Sequence, residues 1–199
     1  MVKTSVGVLA IQGAVSEHVS AMRQSFTENN VSGDVCIVRK PQNIKEIDAL
    51  IIPGGETTTI SKIIDISKFV KPLQKRINEN NLYIMGTCAG AVLLSKKLTT
   101  PKKDIKLLNV MDMQVERNAF GRQRESFEQV IDVKGFLKPY NAVFIRAPVI
   151  TKTWGKCIPI AFFNKKIVGA RQDKFLAVSF HPELTDDLRV HSYFLNMMF

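Results

Sequence analysis

The chain has 199 residues, 45% of them hydrophobic and 23% charged. These figures suit one domain spanning 1–199 with a sizeable core, and they exclude disordered and collagen-like chains. The formal net charge is +10, but Lys96, Lys97, Lys102, Lys103 and Lys106 cluster without interleaved aromatics, so they read as a solvated basic face or a docking surface for an acidic partner, not a nucleic-acid site.

Residues 6–11 form an apolar run that reads as a buried strand. Gln12, Glu17 and His18 interrupt it too early for a signal peptide, and no run approaches the roughly 18 residues of a membrane span, so a cytosolic protein is expected. Val15, Val19, Met22 and Phe26 follow at helical spacing. Apolar runs at 35–38, 49–52 and 82–85 read as further strands. Phe69 or Val70, Leu73 and Ile77 mark a helix before the last of these, with Pro72 in its first turn.

After about residue 110 strands dominate, at 111–116, 126–133 and 142–145. Residues 158–163 and 167–170 read as a hairpin around Asn164-Lys165-Lys166, and 175–180 as another buried strand. The last helix is expected to begin at Thr185, an N-cap followed by Asp186 and Asp187, with Val190, Phe194 and Met197 on its apolar face. The pattern predicts an α/β fold with a mainly parallel central sheet and antiparallel additions.

Of three cysteines, Cys36 and Cys157 read as small buried hydrophobes. Cys88 stands in Gly86-Thr87-Cys88-Ala89-Gly90, between a strand and the helical run Ala91-Val92-Leu93-Leu94. This is the cysteine counterpart of the G-x-S-x-G nucleophile elbow, and a helix N-terminus there favours thiolate. His181-Pro182-Glu183 ends a buried strand, and residues i and i+2 of an extended chain share a side. A base and a carboxylate that orients it are what a cysteine nucleophile requires. Pro53-Gly54-Gly55-Glu56-Thr57-Thr58-Thr59 adds a glycine-rich loop after a strand. It lacks the phosphate-loop lysine, and Glu56 would repel phosphate, so an oxyanion and an amino group suit it better. No metal pattern is present, and His18 and His191 are read as lacking partners.

These pieces resemble the class I, triad-type glutamine amidotransferases, and finer signatures resemble their pyridoxal 5′-phosphate synthase glutaminase branch. The matching stretches are Gly7-Val8-Leu9-Ala10-Ile11-Gln12-Gly13-Ala14 with Glu17-His18, the Pro53 and Cys88 loops, and Val115-Glu116-Arg117-Asn118-Ala119-Phe120-Gly121-Arg122-Gln123. Phe144-Ile145-Arg146-Ala147-Pro148 and Ser179-Phe180-His181-Pro182-Glu183-Leu184-Thr185 complete the set. Thr57 stands where Ser is commoner, and Asn164-Lys165 where Asn-Gly is commoner.

The resemblance implies a flavodoxin-like three-layer fold, Cys88 as nucleophile, His181 as base and Glu183 as its orienter. It implies an oxyanion hole at the backbone N–H groups of Gly55 and Ala89. The glutamine site would comprise Gly55, Glu56, Thr57, Arg117, Ile145 and Arg146, with the arginines toward the α-carboxylate and Glu56 toward the ammonium. The implied partner is a (β/α)₈ synthase subunit that receives the ammonia, and no cofactor or metal is implied. Three rivals stand beside this reading: an amidotransferase serving another acceptor, a cysteine hydrolase on the same fold, and a non-catalytic regulatory subunit.

Overall fold

The computed structural model describes residues 3–120 and 126–199. Strand β1 (Thr4–Leu9) is followed by helix α1 (Val15–Glu28), β2 (Gly33–Val38), β3 (Ala49–Ile52), α2 (Thr57–Ile66), α3 (Val70–Asn78) and β4 (Tyr83–Thr87). Then come α4 (Ala89–Leu94), β5 (Ser95–Leu98), β6 (Met111–Glu116), β7 (Ser126–Val133), β8 (Tyr140–Ile145) and β9 (Val149–Thr153). The hairpin β10 (Ile158–Phe163) and β11 (Lys166–Gln172), strand β12 (Phe175–Val178) and helix α5 (Arg189–Asn196) complete the order.

The sheet runs β2-β1-β3-β4-β12-β11-β10-β7-β8. Its first five strands are parallel, in the 2-1-3-4-5 order of flavodoxin-like sheets. The rest of that path is antiparallel, and β9, β6 and β5 branch from β11. Such parallel strands are buried on both faces, which is why they appear in the sequence as unbroken apolar runs.

Alternate side chains of β3 enter different cores. Ala49 and Ile51 pack with Val19, Met22 and Phe26 of α1 and with Val190 and Phe194 of α5. Leu50 and Ile52 pack with Ile60 and Ile64 of α2, Leu73 of α3 and Val92 of α4. The result is a three-layer α/β sandwich.

Several boundaries differ from the sequence expectation. Strand β1 stops at Leu9, so Ile11 and Gln12 lie in the turn beyond it, and β12 stops at Val178. Strands β5 and β9 were not expected. In β5 the only central residues are the exposed Lys96 and Lys97, which carry no alternating pattern. The last helix starts at Arg189, not Thr185. Thr185 Oγ1 donates to the Pro182 carbonyl and accepts the Asp187 N–H, both at 3.3 Å, which closes a local turn instead. Asp187 then accepts the Arg189 N–H at 3.1 Å. In the β10–β11 hairpin, Asn164 and Lys165 both take positive φ, +46° and +64°, the conformation of a type I′ turn.

The lysine cluster is spread over β5 and the loop after it. Lys96 pairs with Asp112 and Lys106 with Asp65, each at 2.6 Å. Lys97 Nζ lies 5.6 Å from the centre of the Trp154 ring. No described helix is long and apolar enough to cross a membrane.

Candidate active site

Four loops at the C-terminal ends of parallel strands β1, β3, β4 and β12 converge on one side of the sheet, the expected place for a site in an open α/β sheet. Cys88 is the single residue between β4 and α4. Its φ of +48° and ψ of −105° lie outside the regions that L residues favour. The flanking glycines follow from close approach. A Cβ on Gly90 would run into the Ile52 carbonyl of β3, and one on Gly86 would lie 2.5 Å from the Gly90 carbonyl carbon. The strained elbow is held down on both sides by backbone, with Cys88 at its apex. Its thiol donates to the Ile145 carbonyl at 3.7 Å.

His181 follows β12, and its backbone N–H donates to the Val143 carbonyl of β8 at 2.8 Å. Its Nδ1 meets Glu183 Oε1 at 2.8 Å. The residues after His181 turn into a short 3₁₀ segment, Pro182–Leu184, so Glu183 reaches back to the imidazole through a turn and not along an extended strand. Burial would lower the His181 pKa, but interactions with Cys88 and Glu183 outweigh it and raise the value to about 10. Gly54 explains the closeness of base and thiol: a Cβ there would lie 2.5 Å from His181 Cε1 and 3.2 Å from Cys88 Cβ.

A cleft of about 460 Å³ opens over these residues. Of the residues singled out from sequence, Cys88, His181, Gly55, Ala89, Glu56, Thr57, Arg117, Ile145 and Arg146 all line it. Glu183 does not; its side chain is fully buried behind His181. Glu56 has a second task. Its carboxylate caps α2 by accepting the N–H groups of Thr58 at 3.0 Å and Thr59 at 2.6 Å. Burial would raise the Glu56 pKa, but the Thr59 and Thr58 donors prevail and hold it at about 2. Arg117 Nη2 also reaches Glu56 Oε1, at 3.4 Å.

Two features escaped the sequence reading. Gln12 Oε1 accepts the Glu56 N–H at 2.8 Å, so the loop after β1 braces the glycine loop; a polar residue just past a buried strand was the available signal. The second corrects an expectation: His18 and His191 are not without partners. His18 Nδ1 meets His191 Nε2 at 3.0 Å, and His18 Nε2 lies 3.3 Å from both Thr87 Oγ1 and Glu183 Oε2. They sit 173 positions apart, beyond the reach of any local pattern.

Phe120 shows why the Arg117–Phe120 stretch stays beside the cleft. Its ring stacks among Phe127, Phe144 and Phe163 at centroid distances of 5.3, 5.6 and 5.9 Å. Gly121, Arg122 and Gln123 of the same motif lie outside the described residues.

Residues 8–199 match the SNO glutamine amidotransferase family. The chain belongs to that family. Similar members include the protein named pyridoxal 5′-phosphate synthase subunit PdxT in Staphylothermus marinus, 48% identical over 198 residues, with 96% of each chain covered. The PdxT proteins of Thermococcus kodakarensis and Niallia circulans are each 45% identical, over 96% and 97% of both chains. Among solved structures, one described as a glutamine amidotransferase superposes with a TM-score of 0.85 at 41% identity, covering 97% of this chain and 98% of its own. A glutamine amidotransferase of Thermotoga maritima shares the fold alone, with a TM-score of 0.63 at 13% identity. This SNO-family chain thus carries its relatives' architecture from end to end.

Proposed function

We propose that this chain is the glutaminase subunit of a pyridoxal 5′-phosphate synthase. It hydrolyses L-glutamine to L-glutamate and ammonia and delivers the ammonia to a (β/α)₈ synthase subunit, which consumes it with a pentose phosphate and a triose phosphate. The observation that carries the reading is the strained Cys88 elbow beside a histidine whose Nδ1 is held by buried Glu183 at 2.8 Å. Near-full-length similarity to proteins named PdxT supports the choice of acceptor over other amidotransferase acceptors.

In this mechanism Cys88 and His181 form a thiolate–imidazolium pair. The thiolate attacks the side-chain amide carbon of glutamine, and a carbon–sulfur bond forms. The oxyanion takes hydrogen bonds from the backbone N–H groups of Ala89 and Gly55. His181 gives its proton to the amide nitrogen, the carbon–nitrogen bond breaks, and ammonia leaves. His181, now neutral, takes a proton from water, and the resulting hydroxide attacks the thioester. Glutamate departs, and the thiolate–imidazolium pair is restored. Arg117 and Arg146 hold the substrate α-carboxylate; Glu56, Thr57 and the Ile145 backbone complete the recognition. A reactive thiol of this kind suits a reducing cytosol, and the whole of 1–199 acts as one catalytic unit.

Free ammonia protonates in neutral water, so the donor must be docked to its acceptor. Glutamine labelled with ¹⁵N at the amide tests this directly. With synthase present, the label should enter pyridoxal phosphate despite excess unlabelled ammonium. Complete dilution of the label would remove the delivery step from the account.

A further inference from the structure

Behind the cleft lies a line of polar groups that the chemistry above leaves unused. Its first link is Glu183. One carboxylate oxygen receives His181 Nδ1; the other, Oε2, is buried and makes no hydrogen bond at full geometry. Facing it at 3.3 Å is Nε2 of His18, from helix α1. His18 and His191 are both completely buried, where α1 packs against α5; Asn29 Nδ2 and Ser192 Oγ close the same interface with a 2.9 Å hydrogen bond. A buried charge or an unpaired polar group in such a place is costly, so two buried histidines need an explanation.

One proton arrangement satisfies the line. The 3.0 Å contact between His18 Nδ1 and His191 Nε2 holds a single hydrogen. If His18 supplied it, the neutral ring would turn a lone pair on Nε2 toward Glu183 Oε2, oxygen against nitrogen with no proton between them. If His191 supplies it, His18 carries its own hydrogen on Nε2. That hydrogen then points at Glu183 Oε2, shared with Thr87 Oγ1 at 3.3 Å. His191 Nδ1, which has no partner, is left as a bare lone pair and not as a stranded N–H. Every donor in the line then points toward the carboxylate. Burial lowers the pKa of both rings, to about 4 for His191, so they donate without bringing a buried charge.

We propose that His18, fixed by His191, is a positioning residue that holds the second oxygen of Glu183 and thereby aims the carboxylate at His181. By reaching Thr87 as well, His18 ties the strand that presents Cys88 to the turn that carries Glu183. The inference rests on the glutaminase reading and adds a line of action running from the α1–α5 interface to the base. The groups facing His18 are His191 from α5, Thr87 from β4, and Glu183 and His181 from the segment after β12.

The test compares His18→Leu and His18→Gln in the full chain with its synthase subunit present, with glutamate release as the readout. His18→Leu should lower kcat by about tenfold to a hundredfold while KM for glutamine stays within about twofold, because no cleft contact changes. His18→Gln, which keeps a donor near the Nε2 position, should recover most of the loss. In a Glu183→Gln background the His18→Leu change should add nothing further, since the group it acts through is already disabled. An unaltered kcat in His18→Leu overturns the proposal, as does an equal loss with and without Glu183. If the unmodified complex releases no glutamate, it is the glutaminase reading that fails. Imidazole ¹⁵N shifts of the unmodified chain then judge the proton arrangement by themselves: a neutral His18 protonated on Nε2 upholds it, and protonation on Nδ1 overturns it.

Discussion

Gly54 and His181 exclude each other's alternatives: the imidazole Cε1 occupies the space a Gly54 side chain would need, 2.5 Å from where its Cβ would stand. Gly54 is not in the left-handed region, unlike Gly55 with φ of +149°, so its own backbone tolerates alanine. Gly54→Ala should therefore fold normally and push the imidazole away from Cys88. A displacement near 1 Å costs about a hundredfold in turnover. The check is kcat beside an unchanged circular dichroism spectrum and urea midpoint; full activity would mean that His181 has room to spare.

Glu183→Gln keeps the size of the orienting side chain and removes its charge. The His181 ring then loses the partner that fixes its tautomer. By analogy with serine triads the loss in kcat approaches about 10⁴-fold, and less where a cysteine is already ionised. His181→Asn should be at least as damaging. Full glutamine turnover at saturation by Glu183→Gln would reduce the triad to a Cys88–His181 dyad.

Arg117 is placed to serve binding more than chemistry. Its contact with Glu56 is long, 3.4 Å, and partly exposed, so its loss should shift stability by no more than about 0.5 kcal/mol. Arg117→Ala should instead raise KM for glutamine by about tenfold or more with kcat much less affected. A kcat loss at constant KM would move Arg117 from substrate binding to transition-state stabilisation.

The buried histidines set the acid limit of the fold. Burial holds the His191 pKa at about 4, below its ordinary 6.5. The unfolded chain therefore takes up a proton that the folded one refuses. Stability is lost as pH falls from about 6.5 to about 4, by roughly 3 kcal/mol for this residue. His181 acts in the opposite sense. Its raised pKa gives stability that is complete below about 6.5 and is lost as pH rises through about 10. Urea midpoints at about pH 7 and pH 5 should fall less in His191→Gln than in the unmodified chain. Equal falls would mean that His191 already takes up its proton within the fold.

The sequence carried the parallel half of the sheet because doubly buried strands are written as unbroken apolar runs, as at Ala49–Ile52. The cleft residues were legible for a related reason: strained turns and close backbone approaches leave glycines at Gly86, Gly90 and Gly54, and those spacings are local. Strand β5 was not legible, because Lys96 and Lys97 are defined by pairing with β6 and not by burial. The start of α5 was misread at Thr185, whose hydroxyl closes a turn just as readily as it caps a helix. The His18–His191 pair was invisible in principle, since only the packing of α1 on α5 joins residues 173 positions apart.

The most direct measurement is glutamate release from L-glutamine by the unmodified chain and by Cys88→Ala, each with the synthase subunit present. The account predicts that glutamate and ammonia appear in equal amounts with the unmodified chain and that Cys88→Ala yields neither, although it still folds and docks. Glutamate production that survives in Cys88→Ala would contradict the account, because the strained elbow would then carry a cysteine that does no chemistry.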